Sequence, residues 1–145
     1  MKTIHRLLGT ILLSGILASC SGDSVQQADY QVIPLPQQIE KAQGAGFRLS
    51  NDTKIVYPEG NEKMQKNAAF LAGYIGQMTG LKLQMTHGGL SDAEGNIVLA
   101  LGLDPQQPEA YRLTVDKGGV TITGASEAGV FYGIQTLRKS LPVGR

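Results

Sequence analysis

The stretch "GVTITGASEAGVFYGIQTLRKSLP", Gly119 to Pro142, holds a strand, a capped helix and a stop. Val120 and Ile122 alternate with threonines, the period of a half-buried strand. Ser126 is placed to cap the helix that follows, and Glu127 suits the positive end of its dipole. Val130, Ile134, Leu137 and Leu141 recur at helical spacing and predict the buried stripe, which Pro142 ends. Gly129 and Gly133 fall four apart on a neighbouring face. Each glycine in a helix interior costs about 0.8–1.0 kcal/mol against alanine. The pair therefore implies close approach of another backbone, either the domain's own sheet or a partner outside it.

Upstream, "YRLTV" from Tyr111 pairs with "GVTIT" as a predicted hairpin around Asp116, Lys117 and Gly118. "NIVLALG", Asn96 to Gly102, is a continuous apolar run, as in a strand covered on both faces. "LKLQMT" alternates Leu81, Leu83 and Met85 and reads as a further strand, joined to the next by the loop "HGGLSDAEG". Asn61 can cap an earlier helix, with Glu62 in its first turn, Met64, Ala68, Leu71, Ile75 and Met78 on one face and Gly80 as a left-handed terminator. Before it, Phe47 and Leu49 alternate, Ser50, Asn51 and Asp52 turn, and Ile55, Val56 and Tyr57 form a β-branched run. "YQVIPLPQQIE" cannot be helical through Pro34 and Pro36 and reads as an extended lead-in. The sum is an α+β domain over residues 30–142: a mixed or antiparallel sheet of four to five strands with two amphipathic helices packed on it.

The N-terminus has a different character. Lys2 and Arg6 precede an apolar run from Leu7 to Leu17, too short to span a membrane, and small residues then lead to Cys20. Residues 1–19 read as a secretory signal peptide, and Leu17-Ala18-Ser19-Cys20 resembles a bacterial lipobox, which makes Cys20 the expected lipidation site. It is the sole cysteine, so neither an internal disulfide nor a cysteine-rich metal site is available. Residues 20–29 are small and polar, as expected of a tether between lipid and fold. Ser21 does not resemble the Asp retention signal of inner-membrane lipoproteins, so an outer-membrane location, on either face, is expected. Without the signal, eleven basic residues face twelve acidic ones, a net charge of −1, which argues against nucleic acid as a partner. Trp is absent, and the five tyrosines are scattered as packing residues.

Chemistry-bearing patterns are sparse. His87 is the sole histidine beyond the signal and reads as a surface loop residue, so no zinc triad or His-based dyad can form from histidines. Asp92 and Glu94 lie in the Gly-rich loop, and Asp116 in the hairpin turn, where Asp favours local backbone bonding. Gly44-Ala45-Gly46 is not a dinucleotide fingerprint and no phosphate-binding Gly-Lys-Ser/Thr occurs, so no cofactor is called for.

"YRLTVDKGGVTITGASEAGVFYGIQTLRKSLP" resembles the end of the N-terminal domain of bacterial β-N-acetylhexosaminidases of glycoside hydrolase family twenty. "VIPLPQQIE" is similar to its opening and "KMQKNAAFLAGYIGQMTGLKL" to its middle. The resemblance implies that the chemistry belongs to a (β/α)₈ barrel that follows this domain, typically about 250 residues. Only three residues follow Pro142, so the barrel is expected to lie outside this chain, with the last helix as its joint. It further implies an exo-acting, retaining, substrate-assisted reaction on glycans ending in N-acetylhexosamine, in which an Asp-Glu pair assists the substrate's own acetamido group. No Asp-Glu dipeptide occurs here, so no catalytic residue is carried over. Two alternatives share these residues: a domain preceding another glycosidase barrel, such as a hyaluronidase-like or α-glucuronidase-like one, or a free-standing lipoprotein that binds a glycan or partner.

Overall fold

In the computed structural model, the described residues are 36–41, 43–44 and 46–141. The signal segment, Cys20, the tether, the opening through Leu35 and Pro142 lie outside them. Five strands and two α-helices follow in order: β1 (Lys54–Tyr57), α1 (Glu62–Thr79), β2 (Gln84–His87), β3 (Ile97–Leu101), β4 (Tyr111–Val115), β5 (Val120–Gly124) and α2 (Glu127–Ser140). The strands form one mixed sheet in the order β2-β1-β3-β5-β4, parallel except for the antiparallel β4–β5 hairpin. The α+β reading with two helices on a mixed sheet is correct.

Side-chain alternation sorts the sheet into two unlike faces. Ile55, Tyr57, Ile97, Leu99, Val120 and Ile122 point to the helices and join Met64, Ala68, Leu71, Ile75, Val130, Ile134 and Leu137 in one core. The register puts Lys54, Thr86, Arg112, Thr114, Thr121 and Thr123 on the opposite, polar face. Val56 and Val98 belong to that face yet are fully buried, and the connection between β2 and β3 explains it. The chain leaves the end of β2, passes β1 and re-enters at the start of β3 without a helix of its own. With α1 on one face in moving from β1 to β2, a return connection of the same hand must cross the other face. Gly88 lies where a Cβ would be 2.7 Å from Val56 Cγ1, and the segment turns through Leu90–Asp92 as a short 3-10 turn. Asn96 pins its far end: Oδ1 accepts from Lys54 N at 3.0 Å and Nδ2 donates to Asp92 O at 2.8 Å.

Several local expectations are corrected. The strand read as "LKLQMT" is Gln84–His87, with Leu83 buried just before it and Met85 38 % exposed, because β2 is the sheet edge and α1 only partly covers it. His87 ends this strand instead of sitting in a loop, and its ring meets Tyr57 edge-on at 4.9 Å. Phe47 and Leu49 lie outside any strand, without ladder pairing, and lean on the core. Met78 is half-buried, one turn beyond the last fully covered position of α1. Gly119 belongs to the hairpin loop, where a Cβ would collide with the carbonyl oxygens of Ala93 and Asn96.

The two glycines of α2 find their partner inside the domain. A Cβ on Gly129 would overlap the Ala110 carbonyl oxygen, and one on Gly133 would be 2.5 Å from Ile122 Cγ2 and 3.1 Å from the Tyr111 ring. The glycine face is therefore turned to the sheet and the lead-in to β4, and it lets α2 settle close enough to bury Ile122 completely.

Candidate functional site: the outer face of the paired helices

Both helices are capped as their sequences require. Asn61 Oδ1 accepts from Met64 N at 3.0 Å, Gly80 closes α1 at φ 77°, and Ser126 Oγ accepts from Ala128 N and Gly129 N. The caps also join the helices. Asn61 Nδ2 donates to Glu127 Oε1 at 2.9 Å, and Asn67 Nδ2 donates to Glu127 O at 2.9 Å. At the other end, Tyr74 Oη donates to Arg138 O at 3.2 Å. Start meets start and end meets end, so α1 and α2 run parallel, with both positive dipole ends together. Glu62 and Glu127 in the first turns offset that repulsion.

The hydrogen bond from Asn61, then that from the Glu127 backbone, hold the Glu127 carboxyl below the ordinary glutamate value, with Lys63 helping and slight burial opposing. A depressed folded pKa stabilises fully above the unfolded value and is lost as pH falls through the folded one. Asn61→Ala is expected to cost about 1–2 kcal/mol by removing cap and bridge together. Glu127→Gln keeps the acceptor and removes the charge. Its thermal midpoint should fall below that of the unmodified chain near pH 6, and the gap should close on the acid side of about pH 4.3; a gap constant across that range refutes the assignment.

The carboxylates singled out in the sequence serve local turns. Asp92 Oδ2 accepts from Gly89 N at 2.9 Å, and Asp116 Oδ1 accepts from Gly118 N at 2.7 Å and Gly119 N at 3.1 Å. Glu94 lies exposed beside the same hairpin loop. Among the described residues, no three His, Cys, Asp or Glu side chains gather as a metal site, and no helix is long and apolar enough to cross a membrane.

What the structure does bring together is an aromatic surface on the side of the helices away from the sheet. Phe70 of α1 meets Phe131 of α2 with ring centroids 5.4 Å apart, and Tyr132 extends the row at 6.4 Å from Phe131. Phe70 is 39 % and Tyr132 42 % exposed. The Arg138 guanidinium lies 4.8 Å from the Tyr74 ring centroid and 5.9 Å from that of Phe70, and donates to Gln135 Oε1 at 3.0 Å. Ala69 and Gly73 leave an open groove beside these rings, completed by Gln77. Four of the eight aromatic residues of the chain thus share one outer face. Sequence reading took Tyr74 and Tyr132 for packing residues and passed over Phe70; the available signal was Phe70 and Tyr74, four apart on the flank of α1 beside its buried stripe. Rings with a single arginine and small residues between them suit a protein surface as partner, and offer no acid or base.

Comparison with known proteins gives the family. The family model described as "Glycosyl hydrolase family 20, domain 2" matches residues 29–145. The chain is 34% identical over 138 residues to a beta-hexosaminidase of Porphyromonas gingivalis, covering 90% of this chain and 17% of that protein. It is 32% identical over 116 residues to a beta-N-acetylhexosaminidase of Cellulomonas fimi, covering 78% and 23%. The solved N-acetyl-beta-hexosaminidase of Streptomyces plicatus superposes with a TM-score of 0.70 at 34% identity, over 81% of this chain and 23% of that one. The chain thus spans less than a quarter of the length of each of these relatives. With the family match running from residue 29 to the last residue, this chain belongs to glycosyl hydrolase family 20, of which it carries domain 2.

Proposed function

We propose that this chain is the N-terminal support domain of a lipid-anchored exo-β-N-acetylhexosaminidase of the bacterial envelope, inactive by itself. The parent releases terminal N-acetylhexosamine from glycans by substrate-assisted retention, with its acid and orienting carboxylates on a barrel outside these residues. The observation that carries the reading is the family match across 29–145 in a chain that spans 17% and 23% of two hexosaminidase relatives. The lipobox-like Leu17–Cys20 supports export and anchoring, toward the outer membrane.

The 145-residue chain should show no turnover of a chromogenic N-acetylglucosaminide, while a coding sequence continued past Arg145 should supply a barrel with an Asp-Glu pair. Turnover by the clean short chain, or a stop followed by unrelated sequence, overturns the proposal. Cys20→Ala should abolish incorporation of labelled palmitate and release the protein from the membrane fraction. Unchanged labelling removes the anchor from the reading and leaves the glycosidase part standing.

A further inference from the structure

We propose that the groove where residues 47–54 meet the connection between β2 and β3 is a binding site for a neutral glycan chain of the N-acetylhexosamine class. The inference rests on the reading above that the parent acts on such glycans, and it adds a site that domain 2 holds with its own residues.

The walls of the groove are fixed by the fold. On one side residues 50–53 form a turn in which Thr53 N donates to Ser50 O at 3.2 Å, and the buried Thr53 hydroxyl accepts from Ser50 N at 3.2 Å. On the other side Gly95 N donates to Gly118 O at 2.6 Å, and Asn96 Nδ2 donates to Asp92 O at 2.8 Å. The bond from Lys54 N to Asn96 Oδ1, at 3.0 Å, ties one wall to the other. The space between them is about 380 Å³, within the range of small-ligand sites. A ligand there meets backbone that is ordered before it binds, which lowers the entropic cost of holding it.

The lining selects the ligand. Arg48 and Lys54 bring two cations to the groove, and Asp52 and Glu94 bring two carboxylates. All four side chains are exposed, and among the described residues none of these charged groups has a hydrogen-bond or ion-pair partner. An anion in the groove would face Asp52 and Glu94, and a cation would face Arg48 and Lys54, so neither charge is favoured. Hydroxyl and amide groups both donate and accept, and a neutral sugar therefore suits the carboxylates and the cations at once. Phe47, half-buried at the edge of the core, adds an apolar wall on which the C–H face of a sugar ring or an acetamido methyl can rest.

The test titrates the isotope-labelled 145-residue chain with chitotriose and follows its amide NMR signals. Shifts should gather at residues 50–54 and 94–96. The dissociation constant should rise by about tenfold in the double variant Arg48→Gln with Glu94→Gln, both exposed positions, while Arg112→Gln on the open sheet face should bind as the unmodified chain does. No shifts at millimolar chitotriose, or shifts that the double variant leaves unchanged, overturn the proposal. The same shifts produced by inorganic phosphate assign the groove to anions and overturn it as well. Equal binding of cellotriose, which lacks the acetamido groups, overturns the assignment to N-acetylhexosamine. Binding in the groove without turnover of a chromogenic N-acetylglucosaminide by the parent-length protein leaves the site standing and sinks the activity, and turnover without binding in the groove does the reverse.

Discussion

Gly129→Ala is expected to destabilise the domain by about 2 kcal/mol or more, against the usual trend for a helix interior. Helix propensity alone favours alanine by about 0.8–1.0 kcal/mol. The opposing term is steric and rigid: the new methyl would enter the Ala110 carbonyl oxygen, which already accepts from Ala125 N at 2.9 Å. Relief requires α2 to lift from the start of β4, uncovering Val130 and Ile134. Gly73, in the middle of α1 with nothing within 4 Å of its would-be Cβ, is the control. Gly73→Ala should stabilise by about 0.5–1 kcal/mol. Urea denaturation of both variants checks the pair; a stabilised Gly129→Ala would show that α2 does not sit against β4 as described.

The second large effect is at Ile122, fully buried at the centre of β5, between Leu99 of β3 and Leu113 of β4. Ile122→Ala should cost about 2–5 kcal/mol, the loss of transfer energy plus an unfilled space beneath α2. Gly133→Ala alone should also destabilise, because its methyl would press on Ile122 Cγ2. In combination the added methyl enters the space that Ile122 vacates, so the double variant should be more stable than the sum of the two costs by about 0.5–3 kcal/mol. Strict additivity in the same denaturation experiment would mean that the two positions do not share one contact.

How much of this was readable beforehand depended on distance along the chain. The caps at Asn61, Gly80 and Ser126, the β4–β5 hairpin and the buried stripes of both helices are local patterns, and the sequence states them nearly residue by residue. The order of the strands is not local. Nothing near Val56 says that residues 88–96 will cross above it, and nothing near Gln84 says that its strand will lie at an edge, where Met85 stays partly wet. The glycines of α2 announced a close neighbour but could not say which, since Ala110 and Ile122 are brought beneath them only by the folded hairpin. The outer aromatic face was hidden for a related reason. Phe70 and Phe131 are 61 residues apart, and each looks like an ordinary apolar residue until the parallel pairing of the helices joins them.

The position of α2 as the last element has a consequence for biosynthesis. When Gly124 has been polymerised all five strands exist, yet Leu99, Val120 and Ile122 still lack the helix that covers them. At about 5–20 residues per second the ribosome needs roughly 1–3 s more to reach Leu141. As the two elements leave the ribosome in that order, the apolar face of the sheet stays uncovered for about the same delay, the kind of surface that chaperones hold.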